Sequence, residues 1–129
     1  MVCSITPSSR RLEVVANPTH LSSGGNEWWE ETERRQGKCV NRNIHYVGTG
    51  VSGGYQSSRH GPSISPSGTP EAYAKVEAKL KKWAAKDGKG NPCVCYVGPG
   101  GSGHYVKVSL GVLTFQMFTT IDIADSFSR

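Results

Sequence analysis

The 129-residue chain lacks any apolar run near the roughly 20 residues a membrane-spanning helix needs. No membrane span is therefore expected. Its first residues, Met1 to Arg11, are polar and lack the apolar stretch of a secretory signal. Synthesis in the cytoplasm is the expectation, with delivery outside the cell by a route that needs no signal peptide as its extension. Cysteine is sparse, and Cys3, Cys39, Cys93 and Cys95 show none of the paired C-x-x-C knuckles of a structural zinc site. A bridge between Cys93 and Cys95 would be strained, so free thiols in a reducing compartment are expected. No dense Lys/Arg arm, internal repeat or G-x-x-x-x-G-K-[ST] loop occurs. Neither a metal nor a cofactor is called for. Hydrophobic residues make up only 36% of the chain, which predicts a modest core with long polar loops.

What the chain does have is a positive balance, 15 Lys and Arg against 10 Asp and Glu. Such a surface favours polyanions. The length suits a single domain over 1–129. A flexible loop rich in glycine and serine is expected at 48–68.

The spacing predicts an α+β fold. Met1 to Ser9 reads as a loose end and Leu12 to Ala16 as a short strand stopped at Asn17-Pro18. A helix over 26–36 opens at Asn26 and stops at Gly37. Its acids Glu27, Glu30 and Glu31 come early and its bases Arg34 and Arg35 late, as the helix dipole favours. Trp28, Trp29 and Thr32 are its buried side. Cys39 to Val47 fits a strand by alternation or a short helix. Thr69-Pro70-Glu71 begins the main helix, 70–87, with Tyr73, Val76, Leu80, Trp83 and Ala84 on one face. Glu71 with Lys75 and Glu77 with Lys81 are favourable pairs on it. Three strands then follow near 93–97, 104–110 and 112–119 as a small antiparallel sheet. On the second, His104, Val106, Val108 and Leu110 share one face.

His104 follows a glycine-rich turn and suits general acid/base work, since imidazole titrates near neutral pH. Asp122, at the next strand's end, would approach it and orient the ring, with Asp125 as a second choice. Cys39 is the best-placed nucleophile, because a thiol beside imidazole becomes a thiolate.

The run Gly90-Asn91-Pro92-Cys93-Val94-Cys95-Tyr96-Val97, then Gly103-His104-Tyr105-Val106-Lys107-Val108, then Asp122, resembles the C-terminal half of papain-like cysteine hydrolases, above all bacterial peptidases and cell-wall amidases. The resemblance implies hydrolysis of an amide bond in a peptide or in peptidoglycan, an anionic polymer. Cys39 would attack, His104 would move the proton, Asp122 would orient the ring and Gln36 would help hold the oxyanion. Trp28, Trp29 and Tyr105 are the expected substrate-binding surface. Cys39 departs from the family's pattern, because no long apolar helix follows it.

Two other readings compete. One is a nucleic-acid-directed protein, a small RNase toxin or a binding module. It rests on the positive charge, the lysines of 75–86, exposed Tyr55 and Tyr105, and His45, His60 and His104. The other is a non-enzymatic phage or viral accessory factor, or a small-ligand binder. There the glycine-rich loops 48–54 and 98–103 would offer backbone N–H groups to an anion. The oligomeric state is not legible.

Overall fold

The computed structural model describes residues 20–127, the last eleven by backbone alone. The expected loose end and the strand at Leu12 to Ala16 lie outside the described residues. The chain is α+β: β1 His20–Ser23, α1 Trp29–Val40, β2 His45–Ser52, a 3₁₀ turn Gly54–Gln56, α2 Ser57–His60, β3 Ser63–Gly68, α3 Pro70–Trp83 and α4 Ser102–Phe127. The sheet order is β1-β2-β3. β1 runs parallel to β2 with His20 opposite His45, and β2 runs antiparallel to β3 with Val47 opposite Gly68. Parallel neighbours need a crossover, and α1 supplies it.

The expected sheet is therefore in the wrong place. Only the stretch at 93–97 is extended, and it runs parallel, not antiparallel, beside β3. Ile64 N–H donates to the Cys93 carbonyl (2.9 Å), Cys95 N–H to that of Ile64 (3.2 Å) and Val97 N–H to that of Pro66 (3.0 Å). The spans 104–110 and 112–119 are not strands; both lie inside α4. Val106, Val108, Leu110, Val112, Leu113 and Phe115 spread apolar surface around that whole helix. A helix apolar all round has no 3.6-residue stripe, so a short alternation within it imitates a strand. Gly111 is no breaker, because a mid-helix glycine costs only about 1 kcal/mol.

The 48–68 segment is not a structureless loop. It holds the end of β2, two short helical turns and β3. α1 starts at Trp29 rather than Asn26 and runs through Gly37 to Val40. It closes at Asn43, whose φ of 56° is left-handed, with Ile44 N–H donating back to the Cys39 carbonyl (2.9 Å). Cys39 is thus helical, and β2 takes up the strand half of the open reading.

α3 starts as the sequence predicts. Thr69 caps it through Oγ1, which accepts from Ala72 N–H at 3.2 Å, and Pro70 is the first helical residue. Lys81 pairs with Glu77 at 2.8 Å. The helix stops at Trp83, not at 87, because the backbone beyond it bonds elsewhere. Ala85 N–H donates to the Pro62 carbonyl (2.9 Å) and Cys93 N–H to that of Ala85 (2.7 Å). Trp83 is correspondingly exposed, at 53%. Ala72, Val76, Leu80 and Ala84 pack with Val47 and Ile64 as the core, and Tyr73 stacks on Tyr96 with ring centroids 5.1 Å apart. Thr69→Ala should lower stability by about 0.5–2 kcal/mol, the usual worth of such a cap, read as an earlier urea midpoint with an unchanged m-value.

Cys39, Cys93 and Cys95 are free thiols, and no helix among the described residues is long and apolar enough to cross a membrane.

Candidate cofactor-binding cleft

Two parallel strands joined by a helix place their carboxyl ends side by side. The chain leaves β1 at Ser23, passes through Gly24 to Trp28, and enters α1. At that turn lies a cleft of about 300 Å³, walled by Ser23, Gly25, Asn26, Glu27, Trp28, Glu31 and Arg35. In open α/β sheets, ligands bind outside the carboxyl ends of the strands, because there the loops diverge and backbone N–H groups are unpaired.

The floor of this region is a polar chain. The Glu27 carboxylate accepts at Oε2 from Ser23 Oγ (3.3 Å), Thr32 Oγ1 (3.3 Å) and Tyr46 OH (3.4 Å). Arg35 Nε lies 2.9 Å from its Oε1, an ion pair whose N–H is not aligned as a hydrogen bond. Burial pushes the Tyr46 phenol up to about 12. Thr32 Oγ1 also lies 2.8 Å from Nδ1 of His104. His104 is fully buried, and that burial lowers its pKa, with the Glu27 carboxylate opposing the shift.

The first turn of α4 rests on β2 and β3 at glycines. A Cβ on Gly50 would lie 2.3 Å from the Gly103 carbonyl oxygen and 3.0 Å from Lys107 Cβ. A Cβ on Gly48 would meet Thr32 Cγ2 at 2.6 Å. Gly48, Gly50 and Gly53 have G-x-G-x-x-G spacing, yet the first two lie inside β2 and serve close helix–sheet packing. A dinucleotide fingerprint would follow its strand and open a helix. Lys107 is partly buried, and desolvation alone depresses its ammonium pKa.

The structure does not assemble the expected hydrolase centre. Cys39 is buried at the end of α1, where desolvation raises its thiol, the opposite of an activated nucleophile. His104 sits on a helix and bonds Thr32 instead. Asp122 lies 18 residues further along the same helix (122 − 104), about 27 Å away at 1.5 Å per residue, too far to orient the ring. The Gln36 amide lies against Gly68, 3.5 Å from where a Cβ there would be. The three expected binding aromatics do come together. Trp28 and Trp29 have centroids 6.3 Å apart, and Trp29 meets Tyr105 edge-on at 6.2 Å. Trp28 and Tyr105 stay more than half exposed.

Glu27, in the cleft wall, and Thr32, bonded to it, were missed. The signal was the small, polar Ser-Ser-Gly-Gly-Asn turn between a strand and an acid-first helix.

A strand–helix–parallel-strand unit with a cleft at its carboxyl end is the half-unit of a nucleotide-binding α/β domain. Residues 9–98 match the family model described as the NAD binding domain of 6-phosphogluconate dehydrogenase, and the chain belongs to that family. It is 51% identical over 88 residues to 6-phosphogluconate dehydrogenase, decarboxylating 1, of Oryza sativa subsp. japonica, a match covering 68% of this chain and 18% of that one. The decarboxylating enzyme of Emericella nidulans is 48% identical over 102 residues, covering 78% and 21%. A solved Plasmodium falciparum 6-phosphogluconate dehydrogenase superposes with a TM-score of 0.64 at 44% identity, over 68% of this chain and 19% of that one. The chain thus spans about a fifth of the length of these relatives.

Membership in this family overturns the cysteine-hydrolase reading and with it peptidase, amidase and toxin. The nucleic-acid reading, the viral accessory reading and the anionic polymer or peptide partner fall on the same finding. The relatives give no support to delivery outside the cell. The papain-like resemblance failed because its glycine–histidine and valine signature is short enough to recur in a helix.

Proposed function

We propose that this chain holds the nicotinamide end of NAD(P) and a phosphorylated sugar acid, 6-phosphogluconate, as part of a dehydrogenase site. The observation that carries this is the cleft outside β1's carboxyl end in a chain that matches an NAD-binding family. The cleft suits a nicotinamide ring with its ribose rather than a whole dinucleotide, since its volume is at the lower end for ligand pockets. Two runs among the described residues have G-x-G-x-x-G spacing, Gly48 to Gly53 and Gly98 to Gly103. Both pack against neighbouring chain, Gly50 on the Gly103 carbonyl, Gly100 on the Glu33 carboxylate and Gly103 on the Ser65 carbonyl, so no pyrophosphate cradle is taken from either.

When bound, the cofactor supplies the hydride acceptor. The chain's own residues do the rest. Trp28 offers an exposed π-face at the cleft wall, suited to a planar ring. Lys107 takes the proton-accepting role in this reading: burial makes its ammonium give up its proton more readily than a free lysine's, and the amine so formed takes the proton of a hydroxyl undergoing oxidation. His104 is buried and bonded, so it positions the first turn of α4 instead of meeting substrate.

The test is titration of the chain with NADP⁺, with nicotinamide mononucleotide and with AMP, followed by tryptophan fluorescence. Quenching by the first two, largely abolished in Trp28→Leu, is expected. No response to either nicotinamide compound would overturn the assignment.

A further inference from the structure

Thr32 has one hydroxyl proton and two acceptors for it. Its Oγ1 lies 3.3 Å from Glu27 Oε2 and 2.8 Å from His104 Nδ1. On the other side of the ring, His104 Nε2 is buried with no hydrogen-bond partner, and the Gly25 backbone in the cleft wall is the neighbour that favours a proton on the ring. A neutral imidazole carries one N–H. If the proton is on Nε2, it serves Gly25, and Nδ1 then takes Thr32's proton, leaving Glu27 without that donor. If the proton is on Nδ1, it is given to Thr32, whose own proton goes to Glu27. Nε2 then presents a lone pair to the lone pairs of Gly25. Glu27 tolerates the first arrangement, because Ser23, Tyr46 and Arg35 still face it.

We propose that His104 is a positioning residue for the cleft: the Nε2–H tautomer anchors the Gly25 carbonyl, the Nδ1–H tautomer releases it, and the Glu27 carboxylate biases the choice toward release by drawing Thr32's proton. The significance of the cleft rests on the nicotinamide reading above, whereas the tautomer exchange does not. The charged groups that face the ring are Glu27 and Arg35 from the β1–α1 side and Lys107 from its own helix. β2 presents Gly48, whose missing Cβ would sit 3.4 Å from Nδ1. The ring's pKa lies below its usual value, chiefly through burial, so the neutral form and its tautomers are what matter at pH 7. Protonation, below that depressed pKa, would supply both N–H groups at once.

The experiment is imidazole ¹⁵N NMR on the histidine-labelled chain, wild type and Glu27→Gln, paired with nicotinamide mononucleotide titrations of wild type, His104→Gln and His104→Leu. The amide of Gln can serve Gly25 and Thr32 together, whereas Leu serves neither. Glu27→Gln should move the His104 signals toward the Nε2–H pattern. His104→Leu should weaken nicotinamide mononucleotide binding by about three- to tenfold, the span of one hydrogen bond, with His104→Gln restoring most of it. An unmoved tautomer in Glu27→Gln, or equal affinities for the Gln and Leu variants, would overturn the proposal. A tautomer shift in a chain that binds no nicotinamide compound would support the exchange and sink the cofactor reading alone. Should His104→Leu fail to fold, the Glu27→Gln spectrum still decides.

Discussion

Gly50→Ala is expected to cost about 3 kcal/mol or more, and Gly50→Val to leave the chain unfolded at room temperature. The added Cβ would sit 2.3 Å from the Gly103 carbonyl oxygen. The reciprocal face is as tight, since a Cβ on Gly103 would lie 2.2 Å from the Ser65 carbonyl oxygen and 3.0 Å from that of Gly48. These neighbours are backbone atoms of β2, β3 and α4, and none can rotate out of the way. Relief requires α4 to lift from the sheet, which breaks the apposition that places Lys107 against β2. Overpacking of this kind typically costs about 1–3 kcal/mol, and a rigid backbone contact belongs at the top of that span. A domain holds only about 5–15 kcal/mol in total. Gly111 provides the contrast. A Cβ there meets nothing within 4 Å, so Gly111→Ala should be neutral or gain up to about 1 kcal/mol. Urea midpoints for the three variants check this, and a Gly50→Ala chain as stable as the parent would show that α4 does not rest on β2 as described.

The same contact explains what the residues did and did not reveal. α3 was legible because its cap, its proline and its apolar period agree with one another: Thr69, Pro70, then Ala72, Val76 and Leu80 inward. α1 was legible in type but not in extent, since Asn26 and Gly37 imitate a start and a stop where the backbone makes neither. β1 was illegible because four half-polar residues, His-Leu-Ser-Ser, carry no alternation. Without β1 the parallel unit, and hence the nucleotide-type cleft, could not be assembled. α4 was misread for a physical reason: it is apolar on every side, and three consecutive odd–even pairs looked pleated. That single difference moved Lys107. On a strand, Lys107 shares the solvent face with Tyr105 and Ser109. On a helix it falls one turn beyond Gly103 and His104, over the surface those two residues pack against. Trp28, expected on the buried side of α1, instead precedes that helix and is more than half exposed, where it meets Trp29, which in turn meets Tyr105.

Lys107→Met is expected to lower turnover under the proposed activity by about 100- to 10,000-fold, the range a positioned proton acceptor supplies. Met keeps the stem that packs on Gly50 and removes only the amine, so the fold should survive. The sign of the pH effect follows from desolvation. Burial lowers the folded-state pKa of Lys107 below that of a free lysine. Between the two values the unfolded chain binds the proton and the folded chain does not, so stability contributed by this residue rises with pH across that window and is absent below it. Met carries no ammonium to desolvate, and the variant should therefore be no less stable than wild type at neutral pH. Activity should move the same way in wild type: it rises with pH as the amine loses its proton, and that limb should vanish from the residual rate of Lys107→Met. Reductive ¹³C-methylation followed by NMR reads the amine directly, and Lys107 should titrate below the ordinary lysine value. A Lys107 signal that titrates as a free lysine, together with a variant whose pH limb is intact, would remove the residue from proton transfer. The rate would then have to depend on another group at the carboxyl end of the sheet.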